Sequence, residues 1–243
     1  MSPPSRRDVL LGTAFVLMGD AASKAGVLRG QLPWSANAGS PPQPITESGW
    51  LFFNPDEAAA VEAIADRIIP PDASTPGGKE AGCAVYIDRQ LIGPFGSSAG
   101  LYTSAPFVTG TPQQGAQSPD PPAVVYRKSL AALDRQCRAQ TGKPFAQLSS
   151  EQQDPLLSGL ESGSLQLEGA NGKAFFEMLL KNMQEGFFAD PIYGGNKDMC
   201  GWKMIGYPGA HYDYRDWVGR HNERYPHPPV SIAGRPEWTP KRT

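Results

Sequence analysis

Phe175, Phe176, Leu179, Leu180, Met183 and Phe187 fall three and four residues apart, so a helix from about Lys173 to Phe188 gathers them into one apolar stripe, closed by Asp190-Pro191. Strands alternate faces every residue, so a stripe with this period calls for other helices to cover it. Asn54-Pro55-Asp56-Glu57 offers an N-cap, a first-turn proline and carboxylates at the positive helix end, after which Val61, Ile64, Ala65 and Ile68 recur until Pro70-Pro71. A second segment runs from about Lys79 to Ile92, with Gly82 near its start and Gly93-Pro94 at its end. Tyr126, Leu130, Leu133 and Cys137, at i, i+4, i+7 and i+11, mark a helix over about Ala123 to Gln140 with Gly142 beyond it. Ser149-Ser150-Glu151-Gln152-Gln153 holds two overlapping capping boxes and opens a short helix through Leu160, with Pro155 expected near its first turn. No segment alternates as a strand does. The expected fold is all-α: a small irregular helical domain with long Pro/Gly-rich loops and an aromatic-rich, extended C-terminal segment.

The loops follow from 27 glycines and 25 prolines, about a fifth of the chain. Residues 103–122 carry five prolines and only Phe107 and Val108 as large apolar groups, too little to bury alone. They read as a surface loop or as an arm ordered against another chain. From Phe187 onward, aromatic side chains sit on irregular backbone, interrupted by a possible short helix around Lys197 to Met204. Such aromatics must pack on the helices or on a partner.

At the other end, Arg6-Arg7 directly precede the apolar run Val9 to Met18. That run is shorter than the roughly 20 residues that cross a bilayer, and it yields to Gly19-Asp20. Residues 1–38 therefore read as an export signal of the twin-arginine (Tat) type, with Ala36-Asn37-Ala38 as the cleavage site and 39–243 as the mature domain. Its removal takes Arg6, Arg7, Lys24 and Arg29 with Asp8 and Asp20, leaving a mildly acidic remainder.

Lys plus Arg number 22 against 24 Asp plus Glu, for a formal charge of −2, which lacks the basic excess that phosphate neutralisation demands, so nucleic acid is not an expected partner. No GxGxxG follows a strand, and no P-loop or HExxH occurs. The histidines, His211, His221 and His227, all lie in the C-terminal part, where His211, Asp213, Asp216 and His221 could assemble a metal site but have no diagnostic spacing. Asp88, Glu161, Glu177 and Glu185 fall on helices, where a solvated face is the default. Gly93-Pro94-Phe95-Gly96 and Tyr193-Gly194-Gly195-Asn196 read as turns. Cys83, Cys137 and Cys200 match no metal or haem spacing, and an oxidising compartment would allow one disulfide among them. Neither catalytic nor cofactor-binding nor metal residues are assigned to this chain.

Taken together, Asn54 to Pro70, Gly82 to Leu91, Gly142-Lys143-Pro144-Phe145 and above all Glu185 to Met199 with Gly201 to Gly209 resemble the gluconate 2-dehydrogenase subunit 3 family over about residues 50–215. The resemblance implies a non-catalytic small (gamma) subunit of a periplasmic, membrane-associated sugar-acid dehydrogenase complex. Its implied partners are a large FAD-containing subunit of the glucose-methanol-choline (GMC) type and a multihaem cytochrome c. FAD and haem c would belong to those partners, because this sequence has neither a dinucleotide fingerprint nor CxxCH. Also implied are a Tat signal that serves the large subunit's export and maturation, and attachment to the inner membrane only through the complex. Phe187, Phe188, Tyr193, Trp202 and Tyr207 are the expected docking anchors, with 103–122 as a secondary arm; the same aromatics could instead fill the subunit's own core. Competing expectations are a transient export chaperone for a flavoprotein dehydrogenase and a stand-alone periplasmic metal-binding protein centred on His211, Asp213 and His221.

Overall fold

In the computed structural model, residues 49–101, 105–108, 110–111, 118–211 and 214–232 are described, all within the compact unit Ser35–Thr243. The expected signal at 1–38, with Arg6 and Arg7, and much of the 103–122 segment lie outside them. Six α-helices occur among the described residues: α1 Pro55–Ile68, α2 Cys83–Ile92, α3 Pro122–Thr141, α4 Ser150–Ser162, α5 Gly172–Phe188 and α6 Cys200–Ile205. Strand-like pairing there is limited to two isolated bridges, so the fold is all-α as the periodicity indicates.

Helix α5 is the hub, touching each of the other five helices. The stripe read from the sequence is why: Phe175, Leu179, Met183 and Phe187 are buried, with Leu180 at its half-buried edge. Removing each such side chain from water is worth about 1.5–3 kcal/mol. Opposite them, α1 contributes Val61, Ile64 and Ala65, α2 Ile87 and Leu91, and α3 Tyr126, Leu130, Leu133 and Cys137. Tyr126 packs edge-on against Phe175 at 5.3 Å, and its hydroxyl accepts a 2.8 Å bond from Asn182 Nδ2. The burial raises the phenol's pKa, and the Asn182 donor satisfies its oxygen.

Several local expectations shift. The segment before α2 is turn rather than helix from Lys79 to Gly82, because Gly82 sits at φ +80°, a left-handed conformation that cannot continue a right-handed helix. Pro155 lies inside α4 at its sixth residue, past the first turn where it was expected. The larger correction concerns Asp88, expected on a solvated helix face and found with 0% exposure. Its Oδ1 accepts from the Phe52 and Phe53 amides and its Oδ2 from the Leu51 amide, each at 2.9 Å. Arg89 completes the arrangement, pairing with the same carboxylate while donating to the Gly49 carbonyl at 2.9 Å. A carboxylate with that many donors is stable when buried. It fastens the chain entering α1 onto α2.

Arg127 of α3 secures the same entry from the other side. Its guanidinium pairs with Glu57, donates to the Phe52 carbonyl and lies 4.0 Å from the Phe52 ring centre. Glu57 is also half of the capping box with Asn54, the two amides bonding at 2.9 and 3.0 Å.

Candidate functional site

The glycine-bearing stretch after α5 does more than turn. Asp190 caps a short 3-10 turn over Pro191–Tyr193, accepting from the Ile192 amide at 3.0 Å. The chain then passes so close to α5 that a Cβ on Gly195 would lie 2.1 Å from the Gly186 carbonyl oxygen. Asn196 follows, fully buried in the left-handed region; its Nδ2 donates to Ala189 O and its Oδ1 accepts from the Gly201 amide, both at 2.8 Å. Asp198 and Met199 are left-handed too, and the Lys197 amide bonds Ala81 O at 3.0 Å, pinning the stretch to the turn before α2. These contacts deliver α6 onto the end of α5.

There the five expected anchors divide. Phe187 (2% exposed) and Trp202 (6%) are interior: Trp202 donates from Nε1 to Phe188 O at 2.8 Å and takes Tyr207 edge-on at 5.1 Å. Both fill this chain's own core, the alternative that the sequence left open. Phe188, Tyr193 and Tyr207 remain exposed at 39%, 47% and 48%. Met204 and Ile205 of α6, which sequence reasoning missed, are exposed as well. Phe188, Met204, Ile205 and Tyr207 are thus the exposed apolar groups of the stretch that packs at the end of α5, with Tyr207 edge-on to the buried indole, whereas Tyr193 closes the 3-10 turn after α5. The signal that could have found Met204 and Ile205 is the mismatch between a six-residue helix with one buried face and its wholly apolar C-terminal end.

Two concave features are also present. A depression of about 550 Å³ lies between Ser74-Thr75 and Lys197, Asp198, Lys203 and Met204. Another of about 610 Å³ is lined by Trp50, Glu62, Asp66, Lys79 and Arg89. Both interleave charges of opposite sign, which offers no single-sign field for an ionic ligand.

His211 packs among Tyr214, Tyr225 and His227, with ring centres 5.2–6.3 Å away, while His221 is exposed and Asp213 lies outside the described residues. Among the described residues no group of three His, Cys, Asp or Glu could hold a metal ion. The tail aromatics therefore found a third option beyond core and partner: they pack on one another. No helix among the described residues is long and apolar enough to cross a membrane.

Cys83, Cys137 and Cys200 are buried free thiols. Desolvation pushes Cys83 up to about 12, with a contribution from nearby Cys200, and Cys137 up to about 11. A maleimide at pH 8 is expected to leave the native chain unlabelled and to label all three thiols after denaturation, as read by intact mass. Because the folded pKa values are raised, the neutral thiols' contribution to stability holds below their ordinary pKa and is lost as pH climbs towards the folded values.

Compared with known families, residues 55–209 match the one described as gluconate 2-dehydrogenase subunit 3. No curated protein and no solved structure matches significantly.

Proposed function

The chain belongs to the gluconate 2-dehydrogenase subunit 3 family, and from that premise we propose that it is the non-catalytic small subunit of a periplasmic dehydrogenase complex, which grips the FAD-containing large subunit through the face around Trp202. The large subunit carries the flavin and the sugar-acid chemistry. A multihaem cytochrome c takes its electrons and, with it, the attachment to the inner membrane. This chain supplies the Tat address at residues 1–38 and a folded surface on which the flavoprotein matures and is carried.

One observation carries the reading: the block Gly186 to Gly209, inside the family match, is spent on presenting Phe188, Met204, Ile205 and Tyr207 to the outside. Folding alone gives little reason for one short stretch to expose four large apolar groups; burying them against a partner does. Aromatic anchors at an interface centre each cost about 2 kcal/mol or more when truncated. The double variant Phe188→Ala/Tyr207→Ala, co-expressed with the flavoprotein, is therefore expected to lose most of its co-purification while staying folded, its stability lowered only by the two edge-on pairs it loses, about 1–3 kcal/mol. Full recovery of a stoichiometric complex would refute the docking face.

A further inference from the structure

Beyond Gly209, where the family match ends, the chain leaves the platform and comes back to it. After an excursion in which Tyr225 gathers Trp217 and His227 at 5.3 Å and Tyr214 at 5.7 Å, it returns as Val230, Ser231 and Ile232, the first two buried. Val230 pairs in parallel with Gly209: its amide donates to Pro208 O at 3.1 Å and its carbonyl accepts from Ala210 N at 2.6 Å. Asp190, mostly buried, then receives Ser231 Oγ at 2.6 Å and the Ile232 amide at 2.7 Å, while still capping the turn after α5. One carboxylate joins the end of α5 to a segment some forty residues later.

The returning segment bears on the apolar face. Gly209, at φ +78°, is wedged so that a Cβ would meet Val230 O at 2.3 Å and the Trp202 ring at 2.8 Å. Backbone 208–210 is thus sandwiched between the tail and the indole, and Tyr207, stacked edge-on to that indole, is the residue immediately before it. We propose that Val230–Ile232 is a strap: seated on Asp190 it clamps residues 208–210 onto Trp202 and sets Tyr207 for docking, and unseated it releases them. The docking consequence rests on the function proposed above; the clamp itself does not.

The test uses the full chain. Ser231→Ala removes one bond to Asp190 and Ile232→Pro removes the other donor, both sparing Asp190 and its cap. In hydrogen exchange by mass spectrometry, peptides covering 206–210 are expected to exchange about tenfold faster in the double variant, with peptides from α1 to α5 unchanged. Flavoprotein capture is expected to fall with it. Unchanged exchange at 206–210 overturns the strap whatever the capture shows. Faster exchange with full capture overturns its control of docking; the Phe188→Ala/Tyr207→Ala result then tells whether the docking face failed with it, since full capture there removes the face as well.

Discussion

Replacing Asp88 with alanine is expected to destabilise the chain by about 4 kcal/mol, the scale of removing one partner from a buried ion pair. Three backbone donors, Leu51, Phe52 and Phe53, lose their acceptor together, and Arg89, with only 8% of its side chain exposed, is left without its counter-charge. Water can reach part of the Leu51 amide but not that of Phe53, whose residue is 4% exposed. At roughly 2–4 °C per kcal/mol for a domain of this size, the melting temperature by circular dichroism should fall by about 8–16 °C. Asp88→Asn keeps the shape and one accepting oxygen but aims an NH2 at a donor, so it should recover less than half of the loss. A drop below about 1 kcal/mol in the alanine variant would mean that the segment before α1 is not fastened as described.

The second large effect is expected at Gly195. A methyl there would stand 2.1 Å from the Gly186 carbonyl oxygen and 3.1 Å from its Cα, and backbone on both sides cannot swing away as a side-chain tip could. Relief requires the 190–199 stretch to lift from α5, against the bonds of Asn196 to Ala189 and Gly201. Gly195→Ala is expected to cost about 3 kcal/mol, at the upper end of overpacking penalties. Chemical denaturation should show it as a lower midpoint with an unchanged slope. Since the Phe188 and Tyr207 side chains are not themselves altered, any loss of flavoprotein capture in this variant reports the platform rather than the contacts. Comparison with Phe188→Ala/Tyr207→Ala, which spares the platform, separates the two.

How much of this was legible in the residues depends on the range of the interaction. The stripes on α1, α3 and α5 are local, fixed by 3.6-residue periodicity, and they emerge with ends displaced by no more than one residue. Gly82 shows the limit: composition cannot tell a glycine tolerated inside a helix from one at φ +80° before it. Asp88 was misread because nothing within four residues marks it as buried; its donors come from 35 to 37 positions away. The same holds for Asp190 and its bonds to Ser231 and Ile232. Of the five expected anchors, spacing placed Phe187 on the apolar stripe and Phe188 beside it, which agrees with one buried and one exposed. Trp202 and Tyr207 lie where no period exists, and only the packing of α6 on α5 sorts them. Met204 and Ile205 were hidden for the same reason.

Asn196, Asp198 and Met199 occupy left-handed backbone within four positions, at about 1–3 kcal/mol each. What holds them there lies outside the four positions: the carbonyls of Ala81 and Ala189 and the amide of Gly201. A peptide cut from this stretch would relax to ordinary conformations and lose the surface it presents in the whole molecule. A partner docking here as proposed would recognise a finished tertiary object, and affinity and completed folding would become one and the same signal.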